Sequence, residues 1–71
     1  MIREGTKVTW EWGNGTASGT VVETFSESVT RTIAGNEVTR HGERHNKALL
    51  IGQEDGSRVL KLEKEVTRKD A

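Results

Sequence analysis

Two tryptophans separated by one residue, directly before a Gly-Asn-Gly segment, constrain the fold of this chain more than any other feature. Alternate residues of a β-strand point to the same face, so Trp10 and Trp12 share one face. The Asn-Gly that follows is the strongest short-range signal for a β-hairpin turn. The two largest side chains of a 71-residue chain therefore lie on one side of a tight hairpin, where they either form the core or line a binding surface.

The composition favours a small all-β domain. Proline is absent, glycines number eight, and threonine and valine make up much of the remainder. β-branched residues suit a pleated sheet, and short strands joined by glycine turns are typical of all-β domains. With 31% hydrophobic residues, the chain forms one domain, 1–71, near the lower size limit for a self-supporting core. We expect an ordered core over about residues 5–66 and frayed ends at residues 1–4 and 67–71.

Charge and cysteine content disfavour several classes of protein. Lys plus Arg equals Asp plus Glu, at 11 each, whereas a general nucleic-acid coat needs an excess of positive charge. Cysteine is absent, which excludes disulfides and thiolate metal sites and fits a cytoplasmic protein. No apolar run resembles a signal peptide or a membrane span. We therefore expect a cytoplasmic protein without a membrane partner.

The first hairpin predicts a core on the tryptophan side of the sheet. A two-residue turn at Asn14-Gly15 would pair Trp12 with Ala17, Trp10 with Gly19 and Val8 with Val21 across the hairpin. Each tryptophan would then face a small residue, and the two valines would face each other. The opposite face is polar, which agrees with this register. Trp10 is therefore expected in the core. Trp12 lies beside the turn, at one end of the hairpin, where it is either a core residue or partly exposed.

Two further turns are predicted, at Gly35-Asn36 and at Asp55-Gly56. The first would set Arg31 directly opposite Arg40, and such like-charge pairs are destabilising. The second would form one apolar face from four residues: Leu49, Ile51, Leu60 and Leu62. Residues 63–66 are too few for a stable α-helix, so we predict one 3₁₀ turn that closes the sheet with Val66.

These elements are too short and too few to fill a β-sandwich. They can close into a small barrel, which also hides the edges of the sheet. We therefore predict an all-β fold, a small SH3-like barrel of five to six antiparallel strands with a short C-terminal 3₁₀ turn.

The order and spacing of the strand and turn residues resemble a known family over about residues 5–66. The segments that carry the resemblance are Val8-Thr9-Trp10, Gly19-Thr20-Val21-Val22, Val29-Thr30-Arg31-Thr32-Ile33, Gly35, Glu37-Val38-Thr39-Arg40, Leu50-Ile51, Asp55-Gly56, Val59-Leu60-Lys61 and Glu65-Val66. Together they resemble the small hypervirulence-associated TUDOR-domain family of bacteria and fungi. The resemblance implies a Tudor-type barrel but no settled biochemical role, because the family name records a genetic association.

One segment departs from the family pattern, in which an Asn-Pro-x-Tyr-like segment often precedes the Leu-Ile pair. Asn46-Lys47-Ala48-Leu49 stands there, without the proline or the tyrosine. A ligand role that rests on that tyrosine is therefore not carried over. Tudor-type modules of other families bind methylated lysine or arginine in an aromatic cage of about three walls. Trp10, Trp12 and Phe25 are the only aromatic residues, and a barrel this small needs most of them as core.

One concentration of basic residues lies in the middle of the chain: Arg31, Arg40, His41, Arg44, His45 and Lys47. An arginine pair across a hairpin can bind a phosphate or carboxylate with parallel hydrogen bonds. Alternatively, the guanidinium groups extend into solvent or pair with Glu23, Glu27 or Glu37.

We predict no metal site, no cofactor and no catalysis. The spacing of His41 and His45 suits metal binding only on a helix, and Gly42 disfavours one. The turn glycines lack the Lys-Ser/Thr of a phosphate loop. No Gly-x-Ser-x-Gly motif or cysteine nucleophile occurs, and the histidines have no evident positioned partner.

The leading hypothesis is a noncatalytic binding module whose ligand is a protein or peptide segment at the barrel rim, contacted by Trp12, Phe25 and the loop of residues 40–47. The alternative is an anion or nucleic-acid binder, with phosphate contacts from four residues: Arg31, Arg40, Arg44 and Lys47. Salt separates these two, because phosphate-driven affinity falls steeply with ionic strength. A third hypothesis is a homo-oligomeric module with Val22, Leu50 and Val59 at the contact.

Overall fold

The computed structural model of the protein describes residues 2–69 as an all-β structure with seven strands and one 3₁₀ turn. In chain order the elements are β1 (Lys7–Trp12), β2 (Gly15–Phe25), β3 (Ser28–Ile33), β4 (Asn36–His41), β5 (Ala48–Gly52), β6 (Arg58–Leu62), the 3₁₀ turn (Glu63–Glu65) and β7 (Thr67–Arg68). The predicted all-β class, antiparallel pairing and C-terminal 3₁₀ turn are confirmed. The strand β7 is additional to the five or six expected.

Five strands form one antiparallel sheet in the order β6-β5-β2-β1-β7, and β3 and β4 form a separate hairpin. The edge strands β6 and β7 are joined by only residues 63–66, three of them in the 3₁₀ turn. A flat five-stranded sheet would hold its edges about 19 Å apart, whereas a 3₁₀ turn rises only about 2 Å per residue. The sheet must therefore curl, and the prediction of a small barrel is confirmed.

Strand β2 is long enough to pair with a different neighbour along each half, and the sheet bends between the two halves. Its 11 residues pair with β1 through the first half and with β5 from Thr20 to Phe25. A bulge between Val21 and Glu23 shifts the register and leaves Val22 exposed. Bulges of this kind increase local twist and allow a sheet to close.

The core consists of two clusters on opposite faces of β5. One cluster, which contains Trp10, lies inside the curled sheet: Ile2, Val8, Trp10, Val21, Leu49 and Ile51. The other lies beneath the β3–β4 hairpin: Val29, Ala48, Leu50 and Leu60. Residues 48–51 are therefore buried on both faces, which explains their uninterrupted apolar run. Val66 packs against the first cluster, as predicted.

The register of the first hairpin differs from the prediction, although the faces agree. The turn is Gly13-Asn14, with Gly13 at φ +51°, so Trp12 pairs with Gly15 and Trp10 with Ala17. Each predicted pair is displaced by two residues. Since side chains alternate with a period of two, this displacement leaves both tryptophans on the predicted face.

The second hairpin turns at Ala34-Gly35, and both residues have positive φ, as a type I′ turn requires. Arg31 therefore pairs with Val38, and Arg40 pairs with Val29. The prediction that the two arginines stand directly opposite each other is wrong. They lie diagonally on the same face of the hairpin.

The third hairpin has a five-residue loop rather than a two-residue turn. The loop is held by hydrogen bonds from Gln53 N–H to the Ser57 carbonyl and from Ser57 N–H to the Asp55 carboxylate, both 2.9 Å. The register moves by one residue, so Leu60 pairs with Leu50. The single apolar face predicted for residues 49, 51, 60 and 62 is therefore wrong, and these residues divide between the two core clusters.

Both ends of the described range contact the main sheet. Ile2 is buried in the first cluster, and Thr67–Arg68 pairs with β1. The segments are held by backbone hydrogen bonds, including Gly5 N–H to Val21 and Lys69 N–H to Lys7, each 2.8 Å. The expectation of frayed ends at residues 1–4 and 67–71 stays a prediction. For residues 1, 70 and 71 it lies outside the described residues.

Candidate functional site

The two tryptophans lie on one face but at different depths. Trp10 is 6% exposed within the first core cluster, whereas Trp12 is 66% exposed. Trp12 occupies the last strand position before the turn, opposite Gly15, so no side chain covers it from across the hairpin. Of the two positions left open for Trp12, the structure therefore selects the exposed one.

Trp12 forms one wall of an open groove of about 360 Å³, which we call the tryptophan groove. Its lining residues are Trp10, Trp12, Ala17, Gln53, Val59 and Lys61. Most of this surface is aromatic or aliphatic, and Lys61 supplies the only charge. The groove has the proportions of a pocket for one or two side chains of a partner.

A second depression lies along the outer edge of β1, and we call it the β1-edge cleft. It measures about 410 Å³ and is lined by Thr9, Trp10, Glu11, Thr16, Glu65 and Thr67. It adjoins Thr67, where β7 begins. Trp10 contributes to both the cleft and the tryptophan groove, so the two depressions are neighbours at one rim of the barrel.

Phe25 does not belong to this rim. It is the last residue of β2, whereas the turn beside Trp12 precedes the first residue of the same strand. Phe25 packs against the second core cluster, and the Arg31 guanidinium lies 4.9 Å from its ring centroid. Arg31 also donates a 2.9 Å hydrogen bond to the Thr30 carbonyl. A cation–π contact therefore covers Phe25, and the structure does not bring Phe25 and Trp12 together.

The other arginine of the hairpin is paired within the chain. Arg40 forms an ion pair with Glu65, whose carboxylate also accepts a 2.8 Å hydrogen bond from the Leu62 N–H. Burial alone would raise the pKa of Glu65, but the Leu62 N–H and the Arg40 guanidinium hold that pKa below its ordinary value. Glu65 lies 25 positions from Arg40, so the local search of the sequence for partners missed it.

The loop of residues 40–47 is fastened to the same acidic turn. The Lys47 N–H donates to the Glu63 carboxylate at 2.8 Å, and the Lys64 N–H donates to the Asn46 side-chain carbonyl at 3.0 Å. Arg44 lies exposed in the turn between Glu43 and Asn46. The Arg40 side chain and the Lys47 backbone thus both contact the acidic 3₁₀ turn.

The three residues predicted to form an oligomer contact do not share a surface. Leu50 is buried beneath the β3–β4 hairpin, and Val59 packs against the first core cluster on the opposite face. Val22 is exposed at the bulge of β2. The predicted shared face is therefore wrong, because the register of β5 and β6 differs by one residue from the expected one.

Within residues 2–69, no group of three or more His, Cys, Asp or Glu side chains is placed to hold a metal ion. His41 Nδ1 is hydrogen bonded to the Ser28 hydroxyl at 2.8 Å. No helix in the same range is long and apolar enough to cross a membrane.

Comparison with protein families agrees with this architecture. The family model of hypervirulence-associated proteins with a TUDOR domain matches residues 5–66. The chain belongs to this family. No curated protein and no solved structure shows significant similarity to it. As a Tudor-type domain it is a small binding module in general character, and proteins or peptides are the usual partners of Tudor domains.

Leu49, the last residue of the Asn46-Lys47-Ala48-Leu49 segment, is fully buried in the first core cluster. The tryptophan groove includes Gln53 and Lys61, which sequence reasoning did not select, and Val59, which it assigned to an oligomer contact. The correct register of β5 and β6 would have placed Val59 and Lys61 on the face of Ile51 and Leu49.

Proposed function

We propose that this domain is a noncatalytic module that binds a protein or peptide segment at the barrel rim formed by the tryptophan groove. The observation that carries the proposal is the exposure of Trp12, at 66%, in a chain whose other exposed large hydrophobic residue among those described is Val22. A 71-residue domain has few large apolar side chains to use as core. An indole left in solvent is therefore available for a partner.

The energy at stake supports a binding role. A tryptophan can bury ~150–250 Å², so covering the exposed part of Trp12 would remove about 100–165 Å² from water. At ~25 cal/mol/Å² this is worth roughly 2.5–4 kcal/mol, the range of an interface hot spot. Tryptophan is among the residue types most enriched at such positions. The apolar floor of the groove would continue the contact around Trp12.

The hypothesis of an anion or nucleic-acid site remains a prediction with less support. Arg31 lies against Phe25, and Arg40 pairs with Glu65. Binding a phosphate through both would require breaking these contacts. Arg44 and Lys47 belong to the loop of residues 40–47, whose backbone is hydrogen bonded to the acidic 3₁₀ turn. The proposed site therefore contains Trp12 but not Phe25, Arg31, Arg40, Arg44 or Lys47.

A library of random peptides displayed on phage tests the proposal. We expect the purified domain to enrich binding peptides, and Trp12→Ala to weaken the selected peptides by about thirtyfold or more, as expected for a hot spot worth ~2 kcal/mol. Val22→Ala is the matched control, because it truncates the other exposed large apolar side chain. Failure to enrich any peptide, or equal losses in the two variants, would contradict the proposal.

A further inference from the structure

The edge of β1 is only partly covered by its neighbour. Strand β7 pairs with β1 at Val8 and Thr9, whereas β1 continues to Trp12. Over residues 10–12, β1 has β2 on one side and no paired strand on the other, as judged from the described part of the chain. The β1-edge cleft occupies this position.

The alternation of hydrogen bonds identifies which backbone groups face the cleft. A two-residue turn is closed by a hydrogen-bonded pair, here Trp12 and Gly15, and bonded pairs recur at every second residue. The N–H and carbonyl of Glu11 consequently point away from β2. The carbonyl of Lys7 faces the same way by this reasoning, and it accepts a 2.8 Å hydrogen bond from Lys69 N–H. Neither Glu11 group bonds to another residue of the range 2–69.

The chemistry of the cleft selects the charge of a ligand. Two carboxylates, Glu11 and Glu65, line it together with three threonines and Trp10, and no lysine or arginine of the described residues does. The Glu65 carboxylate is already ion paired with Arg40, so Glu11 supplies the charge that is available to a ligand. Opposite charges across paired strands stabilise the pairing. A cationic side chain beside Glu11 therefore complements this edge.

We infer that the β1-edge cleft binds an extended segment of a partner protein as an added β-strand, with a lysine or arginine opposite Glu11 and an apolar side chain against Trp12. The residue opposite Glu11 exchanges two backbone hydrogen bonds with it and projects its side chain to the same outer face. Its neighbour then lies beside Trp12 on the inner face. This inference rests on the proposed function and specifies how the rim binds its ligand.

A second copy of the chain fits this edge poorly. Antiparallel pairing of two β1 edges would be centred on their open positions and would set Glu11 opposite Glu11. Like charges directly opposite each other are destabilising. The exposed large apolar side chains among residues 2–69 are Trp12 and Val22, which supply far less than the ~1,200 Å² of a stable interface. A heterologous cationic strand is the occupant that the charges favour.

The test uses three synthetic peptides and the ¹⁵N-labelled domain. The first is acetyl-Thr-Val-Lys-amide, which with Lys opposite Glu11 extends toward the turn and does not reach Thr9, where β7 is paired. The second carries Glu in place of Lys, and the third carries an Nα-methyl group on the lysine. We expect the first peptide to shift the Glu11 amide resonance and slow its hydrogen exchange. The Glu peptide should bind about fivefold more weakly, the upper range for one cross-strand charge pair. The Nα-methyl peptide should bind at least about tenfold more weakly, because it loses a backbone donor.

Variants of the domain test the charge preference. Glu11→Lys should reverse the order of the Lys and Glu peptides, whereas Glu37→Lys, at an exposed position of the second hairpin, should preserve it. Absence of binding by the Lys peptide at millimolar concentration would overturn the inference. Equal affinity of the Nα-methyl peptide, or an unchanged order in Glu11→Lys, would also overturn it. Peptides from the phage selection that need Trp12 but tolerate Nα-methylation at every position would overturn strand addition while leaving the proposed function intact.

Discussion

Replacing each tryptophan by alanine in turn should separate the residue that stabilises the fold, Trp10, from the residue that binds a partner, Trp12. Trp10 is 6% exposed and Trp12 is 66% exposed. Of the ~250 Å² that a tryptophan can bury, folding removes about nine-tenths at Trp10 and about one-third at Trp12. At ~25 cal/mol/Å² these areas correspond to at most roughly 6 and 2 kcal/mol, since area-based values are upper limits.

We therefore expect Trp10→Ala to lower the free energy of unfolding by ~3–5 kcal/mol, a typical cost for removing a large core aromatic residue. A domain of this size has only about 4–10 kcal/mol of stability, so this variant should be partly or fully unfolded. Trp12→Ala should cost no more than about 2 kcal/mol and remain folded.

The measurement is urea unfolding followed by circular dichroism, with tryptophan fluorescence as a second probe. In Trp12→Ala the remaining Trp10 should show blue-shifted emission and little quenching by acrylamide. In Trp10→Phe, chosen to keep the core filled, the remaining Trp12 should emit at longer wavelength and be readily quenched. Equal losses of stability in the two alanine variants, or equal quenching of the two indoles, would refute the assignment of Trp10 to the core and Trp12 to the binding surface.

Three further substitutions test other parts of the structure. Gly42→Ala should lower the free energy of unfolding by ~1–3 kcal/mol, because the new Cβ would lie 2.5 Å from the Phe25 carbonyl oxygen and 2.8 Å from the Ala48 nitrogen. Urea unfolding measures this loss, and Gly15→Ala is the control because the space around Gly15 is open. Ala34→Asn should raise the free energy of unfolding by about 0.5–1 kcal/mol, because φ is +52° at Ala34 and Asn-Gly suits a type I′ turn; an unchanged urea midpoint would contradict this. Folding lowers the pKa of Glu65, so its ionised carboxylate stabilises the fold fully at pH values above the ordinary carboxyl pKa. This stabilisation is lost as the pH falls through the lowered pKa. Glu65→Gln should therefore weaken the acid dependence of the thermal midpoint, while Glu37→Gln should leave it closer to that of the original domain.

The residues around the first turn show why the fold was easier to predict than its register. Gly-Asn-Gly permits a turn at either Gly13-Asn14 or Asn14-Gly15, and local turn chemistry does not choose between them. In the observed register Gly19 pairs with Val8, and a Cβ at Gly19 would lie 2.6 Å from Ile51 and 2.7 Å from the Gly52 carbonyl oxygen. The small residue thus accommodates β5 rather than Trp10. Only the packing of β5 against β2 reveals this requirement.

The candidate site could be predicted only where it depends on local sequence. Alternation places Trp12 beside a turn at the rim, so its availability to a partner could be proposed. The sequence did not reveal the contacts of Arg31 and Arg40, because the predicted register of the second hairpin placed these two residues opposite each other. The Arg40–Glu65 pair also joins the second hairpin to the C-terminal 3₁₀ turn, and local spacing carries no information about such a contact.

The sequence alone determined the all-β class, the locations of the hairpins, the shared face of Trp10 and Trp12 and the C-terminal 3₁₀ turn. These features depend on turn chemistry and on a side-chain period of two, both of which act over a few residues. The tertiary structure decided the depth of each tryptophan, the partners of the arginines and the open backbone groups of Glu11. These depend on how the sheet curls and where β7 begins, since burial and edge pairing are set by segments that are distant along the chain.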